Sequence, residues 1–198
     1  MSHLKKLSRH YLYLHFFFLL ILTYHTNSLK AQNLDIDLKV GIPINVGDTF
    51  LKHYDGVIVS ELDVSYPIGL DYSVFLGIGY RRLVTDASVF HVNLYSPRAG
   101  IKKSFSVSEL IAIIPGVHVG YSRFNFIFKP DVVDDYSLDG FSLGTGITTK
   151  LKIRKKLHVG LSIDYTATFM DSIEEDIDTP FYSEYHSVSP GLTISYQF

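Results

Sequence analysis

The sequence predicts an all-β protein: an eight-stranded antiparallel transmembrane β-barrel, wound as an up-and-down meander and preceded by a cleaved signal peptide. Three observations carry that expectation. Apolar and polar residues alternate with period two in eight segments, the pattern of strands with two unlike faces. The connections between these segments alternate between short and long, as in barrels with tight turns at one rim and loops at the other. After residue 33, no apolar run reaches the length a membrane helix needs. Composition agrees. Of 198 residues, 46% are hydrophobic and 19% charged, which speaks against disorder. Fourteen Tyr and fourteen Phe, beside no Trp and two Met, favour strands over helices. With no Cys, a disulfide scaffold, a thiol nucleophile, a cysteine-ligated zinc and a lipoprotein anchor are excluded. A formal charge of −2 argues against a nucleic-acid binder.

The first element is an address. Lys5, Lys6 and Arg9 precede the apolar stretch from Tyr11 to Tyr24, and a polar segment, Thr26-Asn27-Ser28, leads to Ala31-Gln32. A basic start, an apolar centre and a small residue at the cut describe a secretory signal peptide, and the run is too short to span a bilayer. Cleavage after Ala31 divides the chain into a signal peptide, 1–31, and a barrel domain, 32–198. It removes four basic residues and no acidic one, leaving 14 basic against 20 acidic and a mature charge of −6.

The strands follow at 34–46, 57–67, 72–84, 90–103, 109–124, 140–153, 157–170 and 185–198. The last is the cleanest: Val188, Pro190, Leu192, Ile194, Tyr196 and Phe198 oppose Ser187, Ser189, Gly191, Thr193, Ser195 and Gln197. In 90–103 the parity breaks. Phe90, Val92 and Leu94 lie on one face, but Tyr95, Pro97, Ala99 and Ile101 on the other, so a bulge at Leu94–Tyr95 is expected to reunite them. Pro43, Pro97, Pro115 and Pro190 fall within strands, where a missing N–H should cost a rung and bring bulges or local irregularity. Short connections centre on 68–70, 104–106 and 154–156; long ones run over 47–56, 85–89, 125–139 and 171–184.

Alternation alone does not say which face is outside, because a lipocalin-type barrel turns its apolar face inward. Apolar faces of five to seven positions, polar faces mixing glycine with charges of both signs, and tyrosines ending the apolar bands favour the inverted, membrane-spanning arrangement. The lumen then holds Asp35, Asp37, Lys39, Glu61, Asp63, Arg81, Arg98, Lys102, Lys150, Lys152 and Asp164. The bland role for them is an internal salt-bridge plug, and the functional one a small gated pore. Lys39 and Arg81 are the partners expected for Glu61 and Asp63, since adjacent strands carry them. The acidic connections lack EF-hand spacing, so solvated loops are favoured over a calcium site.

The Ala31-Gln32 junction, the alternating end Ser189-Pro190-Gly191-Leu192-Thr193-Ile194-Ser195-Tyr196-Gln197-Phe198 and the segment Pro97-Arg98-Ala99-Gly100-Ile101 give a resemblance. The chain resembles the eight-stranded outer-membrane barrels of the Bacteroidetes, the porin-family or outer-membrane beta-barrel domain proteins. It is similar, more distantly, to the membrane domain of outer-membrane protein A. The resemblance implies residence in the outer membrane among its lipids and lipopolysaccharide, with Tyr196 and Phe198 as an assembly signal read by the barrel assembly machinery. The alternating connections place both termini in the periplasm and the long loops outside. A monomer with a structural or surface-interaction role is expected, with no cofactor, metal or catalytic residue assigned. The alternatives are a small passive pore and a membrane-embedded lipid (acyl) hydrolase using His118, His158, Asp164, Ser162 and Ser122, although Gly-x-Ser-x-Gly is missing.

Overall fold

The computed structural model describes residues 34–85, 90–128, 136–171 and 183–198. The predicted signal peptide lies outside the described residues. Among the described residues, ten strands form one antiparallel sheet: β1 (Asp35–Gly41), β2 (Ile44–Val46), β3 (Asp55–Gly69), β4 (Tyr72–Val84), β5 (Phe90–Lys103), β6 (Phe105–Ser106), β7 (Ile111–Phe128), β8 (Tyr136–Lys152), β9 (Leu157–Met170) and β10 (Glu184–Gln197). β1 and β2 pair with β10 in a single register, Asp35 opposite Gln197 and Val46 opposite His186, so they are two halves of one wall strand. β6 is a two-residue spur beside β7. Eight long strands remain. Each pairs with its sequence neighbours, and β1 pairs with β10 to close the cylinder. This is the expected closed, up-and-down, eight-stranded antiparallel barrel.

The faces sort as alternation demands. Leu62, Val64, Leu76, Ile78, Val117, Ile147, Leu161, Ile163, Leu192 and Ile194 stand exposed on the outer wall, while Asp37, Glu61, Asp63, Arg81, Arg98, Lys150 and Asp164 are buried inside. A water-soluble barrel has the opposite arrangement. An apolar exterior around a polar interior suits hydrocarbon, where only a closed barrel satisfies every backbone hydrogen bond of a β-structure. The tight turns and both ends of the described barrel meet at one rim, called here the turn rim, and the longer connections at the other, the loop rim.

Several expectations need correction. There is no bulge at Leu94–Tyr95: β4 and β5 stay in continuous register from Tyr72–Lys103 to Val84–His91. Val92 and Leu94 therefore point into the barrel, on the face of Arg98, and are fully buried there. The register shifts lie in β3 instead, between Gly56 and Ile58 and between Pro67 and Gly69. The prolines behave differently from one another. Pro43 splits β1 from β2 at the position facing Ser189, and pairing lapses around Pro97 without a change of register; Pro115 and Pro190 keep their places opposite Ile147 and Ile163. A Pro whose nitrogen points away from a ladder hydrogen bond costs the sheet little. Finally, β7 and β8 run on to Phe128 and back from Tyr136, so the predicted loop 125–139 contracts to 129–135, which lies outside the described residues. The residues 86–89 and 172–182 of two other predicted loops also lie outside them.

Candidate functional site

The lumen is built in storeys. At the turn rim, a vestibule of about 330 Å³ is bounded by Asp35, Asp71, Lys102 and Lys150. Above it, the Lys150 ammonium lies 2.9 Å from Asp35 and 2.6 Å from Asp37. Lys102 reaches Asp37 at 2.8 Å, Asp63 at 3.5 Å and the Ser65 hydroxyl at 3.0 Å, and sits over the Phe75 ring. At mid-height the Arg98 guanidinium touches Asp63 at 2.8 Å and Glu61 at 2.7 Å; the first is a good hydrogen bond and the second an ion pair whose angle is poor for one. Glu61 also faces Arg81 at 3.6 Å and Lys39 at 3.9 Å, and Lys39 donates to Asp164 at 3.0 Å. Five acids, Asp35, Asp37, Glu61, Asp63 and Asp164, thus meet five bases, Lys39, Arg81, Arg98, Lys102 and Lys150. The free space left among them is about 20 Å³, room for about one water.

Glycine makes this crossing possible. Asp63, Gly77 and Arg98 occupy one hydrogen-bonded row across β3, β4 and β5. A Cβ on Gly77 would stand 2.1 Å from the Asp63 carboxylate, so only a bare backbone lets Arg98 reach over β4. Gly146 plays the same part beside Asp164, whose Oδ1 a Cβ would meet at 2.1 Å. A narrow eight-stranded lumen alternates small residues with large ones for this reason. Glu61 thus meets its expected partners Arg81 and Lys39, whereas those expected for Asp63 are corrected to Arg98 and Lys102. Arg98, two strands away from both, is the nearest cation to each, with Arg81 and Lys39 behind it at Glu61 and Lys102 at Asp63.

Above the ions comes a belt of hydroxyls. Arg81 donates to Ser187 at 3.2 Å and Thr166 at 2.9 Å, and Ser96 and Ser122 share a hydrogen bond at 2.9 Å. Then the chemistry changes. Leu83, Val92, Leu94, Phe124, Phe126, Leu138, Met170 and Tyr185 point inward and pack as one buried cluster, with Leu51 inserted from the loop after β2. Phe124 meets Tyr185 edge-on at 5.8 Å. That loop, carrying a 3-10 turn at Phe50–His53, is tied down from inside: the Asn45 amide donates to the Leu51 and Tyr54 carbonyls, and its oxygen accepts from the Tyr185 hydroxyl at 3.0 Å. Burial of Tyr54 in this loop pushes its phenol above the ordinary value.

Of the predicted lumenal residues, Lys39, Glu61, Asp63, Arg81, Arg98, Lys102, Lys150 and Asp164 come together. Lys152 does not. It stands exposed at the end of β8 and joins no ion pair among the described residues, because β8 leaves the barrel there. Tyr196 and Phe198 lie outward at the turn rim, their rings edge-on at 4.9 Å. His118, Ser122, Ser162 and Asp164 are buried, but the hydrogen bonds of Ser122 and Asp164 go to Ser96 and Lys39 rather than to a histidine. Among the described residues no group of three or more His, Asp or Glu is placed to hold a metal. The apolar storey was missing from the sequence reading. Its signal was the parity break at Leu94, which marks a change of what fills the lumen rather than a bulge.

The same architecture recurs in solved structures. The crystal structure of Neisserial surface protein A matches with a TM-score of 0.67 at 11% identity, over 83% of this chain and 97% of that one. Ail, the attachment invasion locus protein of Yersinia pestis, gives 0.47 at 13% identity over 83% and 97%. The N-terminal β-barrel domain of Pseudomonas aeruginosa OprF gives 0.44 at 16% over 83% and 98%. At 11% identity the likeness to the Neisserial protein is one of fold alone. No family model matches the chain, and no curated protein matches its sequence.

Proposed function

We propose that this chain is an integral outer-membrane barrel with a closed lumen, acting through its outer wall and loops in a structural or surface-interaction role rather than as a conduit. One observation carries this reading: two seals of different chemistry, the five-by-five ion network and the apolar cluster, are stacked in the same bore. A pore needs a hydrated path; the ionic layer leaves room for about one water, and the apolar side chains beyond it are buried against one another. The barrel's resemblance to Bacteroidetes outer-membrane barrels, its apolar wall and the outward Tyr196 and Phe198 support outer-membrane residence with delivery by the barrel assembly machinery. In this reading the protein is a monomer among outer-membrane lipid and lipopolysaccharide, with the turn rim and both ends periplasmic and the longer loops extracellular. Heat-modifiable gel migration of the membrane fraction and single-channel recording in planar bilayers test it together. The expected result is a folded band that shifts on heating and no steady conductance. Ohmic steps from the parent protein would replace this reading with the pore.

A further inference from the structure

The outer wall carries a feature that neither the fold nor the sealed lumen requires. A groove of about 580 Å³ crosses β5, β7, β8 and β9 on the hydrocarbon-facing side, within the ~300–1,000 Å³ range of small-ligand clefts. One side follows the hydrogen-bonded row Ala99, Val119, Leu143 and Ala167; Thr145 and Tyr165 belong to the row below. The lining is almost wholly apolar, and the Thr145 hydroxyl is spent on the Gly116 carbonyl at 3.1 Å, leaving its methyl to the groove. The row climbs. Ala99 is near the turn-rim end of β5, and beyond Ala167 the next residue in register is His186, near the loop-rim end of β10.

There the groove meets a polar cap. The Tyr165 hydroxyl lies 2.8 Å from His186 Nδ1, and His186 Nε2 lies 2.9 Å from Glu184 Oε2, with the Tyr165 and His186 rings stacked. All three side chains face outward, Tyr165 with 39% of its surface exposed, so they belong to neither the ion network nor the apolar cluster. With the Nε2 proton directed to Glu184, Nδ1 accepts from Tyr165; what remains for a ligand is acceptors and a carboxylate, with no donor to spare. Such a cap repels a phosphate and attracts an ammonium. Arg123, the outward cation on β7, faces Asp139 instead, at 3.9 Å.

We infer that the groove and its Tyr165–His186–Glu184 cap bind one membrane aminolipid, an acyl chain lying along the groove and a primary ammonium headgroup held by Glu184 and the Tyr165 oxygen. This rests on the membrane-barrel reading above. The test reconstitutes the full barrel into nanodiscs holding equal parts phosphatidylethanolamine, phosphatidylglycerol and phosphatidylcholine with matched chains, and reads the lipids retained on release by native mass spectrometry. Phosphatidylethanolamine is expected in about tenfold excess over each competitor, the worth of one charge-assisted hydrogen bond. Glu184→Gln and Tyr165→Phe, which keep side-chain size, should abolish that preference, and Ala167→Phe should lower retention of every lipid by filling the groove. Equal retention of the three lipids, or a preference that survives Glu184→Gln, overturns the inference and leaves the barrel reading intact. Failure of the parent protein to enter nanodiscs with a heat-modifiable fold would overturn both.

Discussion

At mid-height in the lumen, Arg98 holds Glu61 and Asp63 at 2.7 and 2.8 Å; a few residues nearer the loop rim, the inward faces of β4, β5 and β7 hold Leu83, Leu94 and Phe124. Both regions fill the bore, but they fill it by different physics. The ionic half is a set of buried charges whose desolvation is offset only while every partner is present, so its strength lies in completeness. The apolar half is a dry cluster in which each side chain contributes its own share of buried surface, so damage to it should be graded. The ionic half also depends on what is missing from the wall, Gly77 and Gly146, whereas the apolar half depends on a loop reaching in.

That contrast can be broken most sharply at Arg98. Arg98→Met should lower stability by about 3–5 kcal/mol in urea unfolding from lipid vesicles, since it takes the nearest cation from two buried carboxylates. Adding Glu61→Gln should cost much less than the sum of the two single changes; strict additivity would mean that the ions do not act as a set. In the other half, Leu94→Ala should cost about 2–5 kcal/mol, and Leu83→Ala made with it should add nearly its own full cost unless the two voids merge. Neither change should produce conductance, because the ionic layer still closes the bore; open channels from Leu94→Ala would show that the apolar cluster alone seals it. Asn45→Ala should cost about 1–3 kcal/mol by removing the side-chain donor to the Tyr54 and Leu51 carbonyls, the latter keeping only the Tyr54 N–H, and should raise protease sensitivity within 47–54. Unaltered digestion there would mean that Leu51 is held by its own packing. Smallest of all, Lys152→Gln should change stability by no more than about 0.5 kcal/mol, because the side chain lies outside the network.

Much of this was legible in the sequence because a barrel wall has a strict period of two. Ser189 to Phe198 could be sorted into inward and outward residues by parity alone, and the ion-bearing positions Lys39, Glu61, Asp63 and Asp164 followed from the same count. Two things escaped. Which cation meets which carboxylate depends on rows running across strands, and Arg98 is the partner of Asp63 only because Gly77 stands between them in register. The apolar storey escaped because parity assigns a face and says nothing of what that face touches. Val92 and Leu94, apolar and on the parity of Arg98, suggested a bulge, whereas the lumen itself changes character along its length. The extent of β7 and β8 was hidden for the same reason: Phe126 and Leu138 continue the inward face into residues assigned to a loop.

The closing seam has a consequence of another kind. The Phe198 amide donates to the Leu34 carbonyl at 2.9 Å, and Asp35 sits opposite Gln197, so the two ends of the barrel domain are neighbours in the same ladder. A few residues of linker could join them, and the exposed turn at 154–156 could be opened in exchange. The wall would keep every pairing it now has, while a different strand left the ribosome first. Strand order in this cylinder is then a matter of how it is synthesised, and the circularly permuted chain should refold in lipid vesicles to the same barrel.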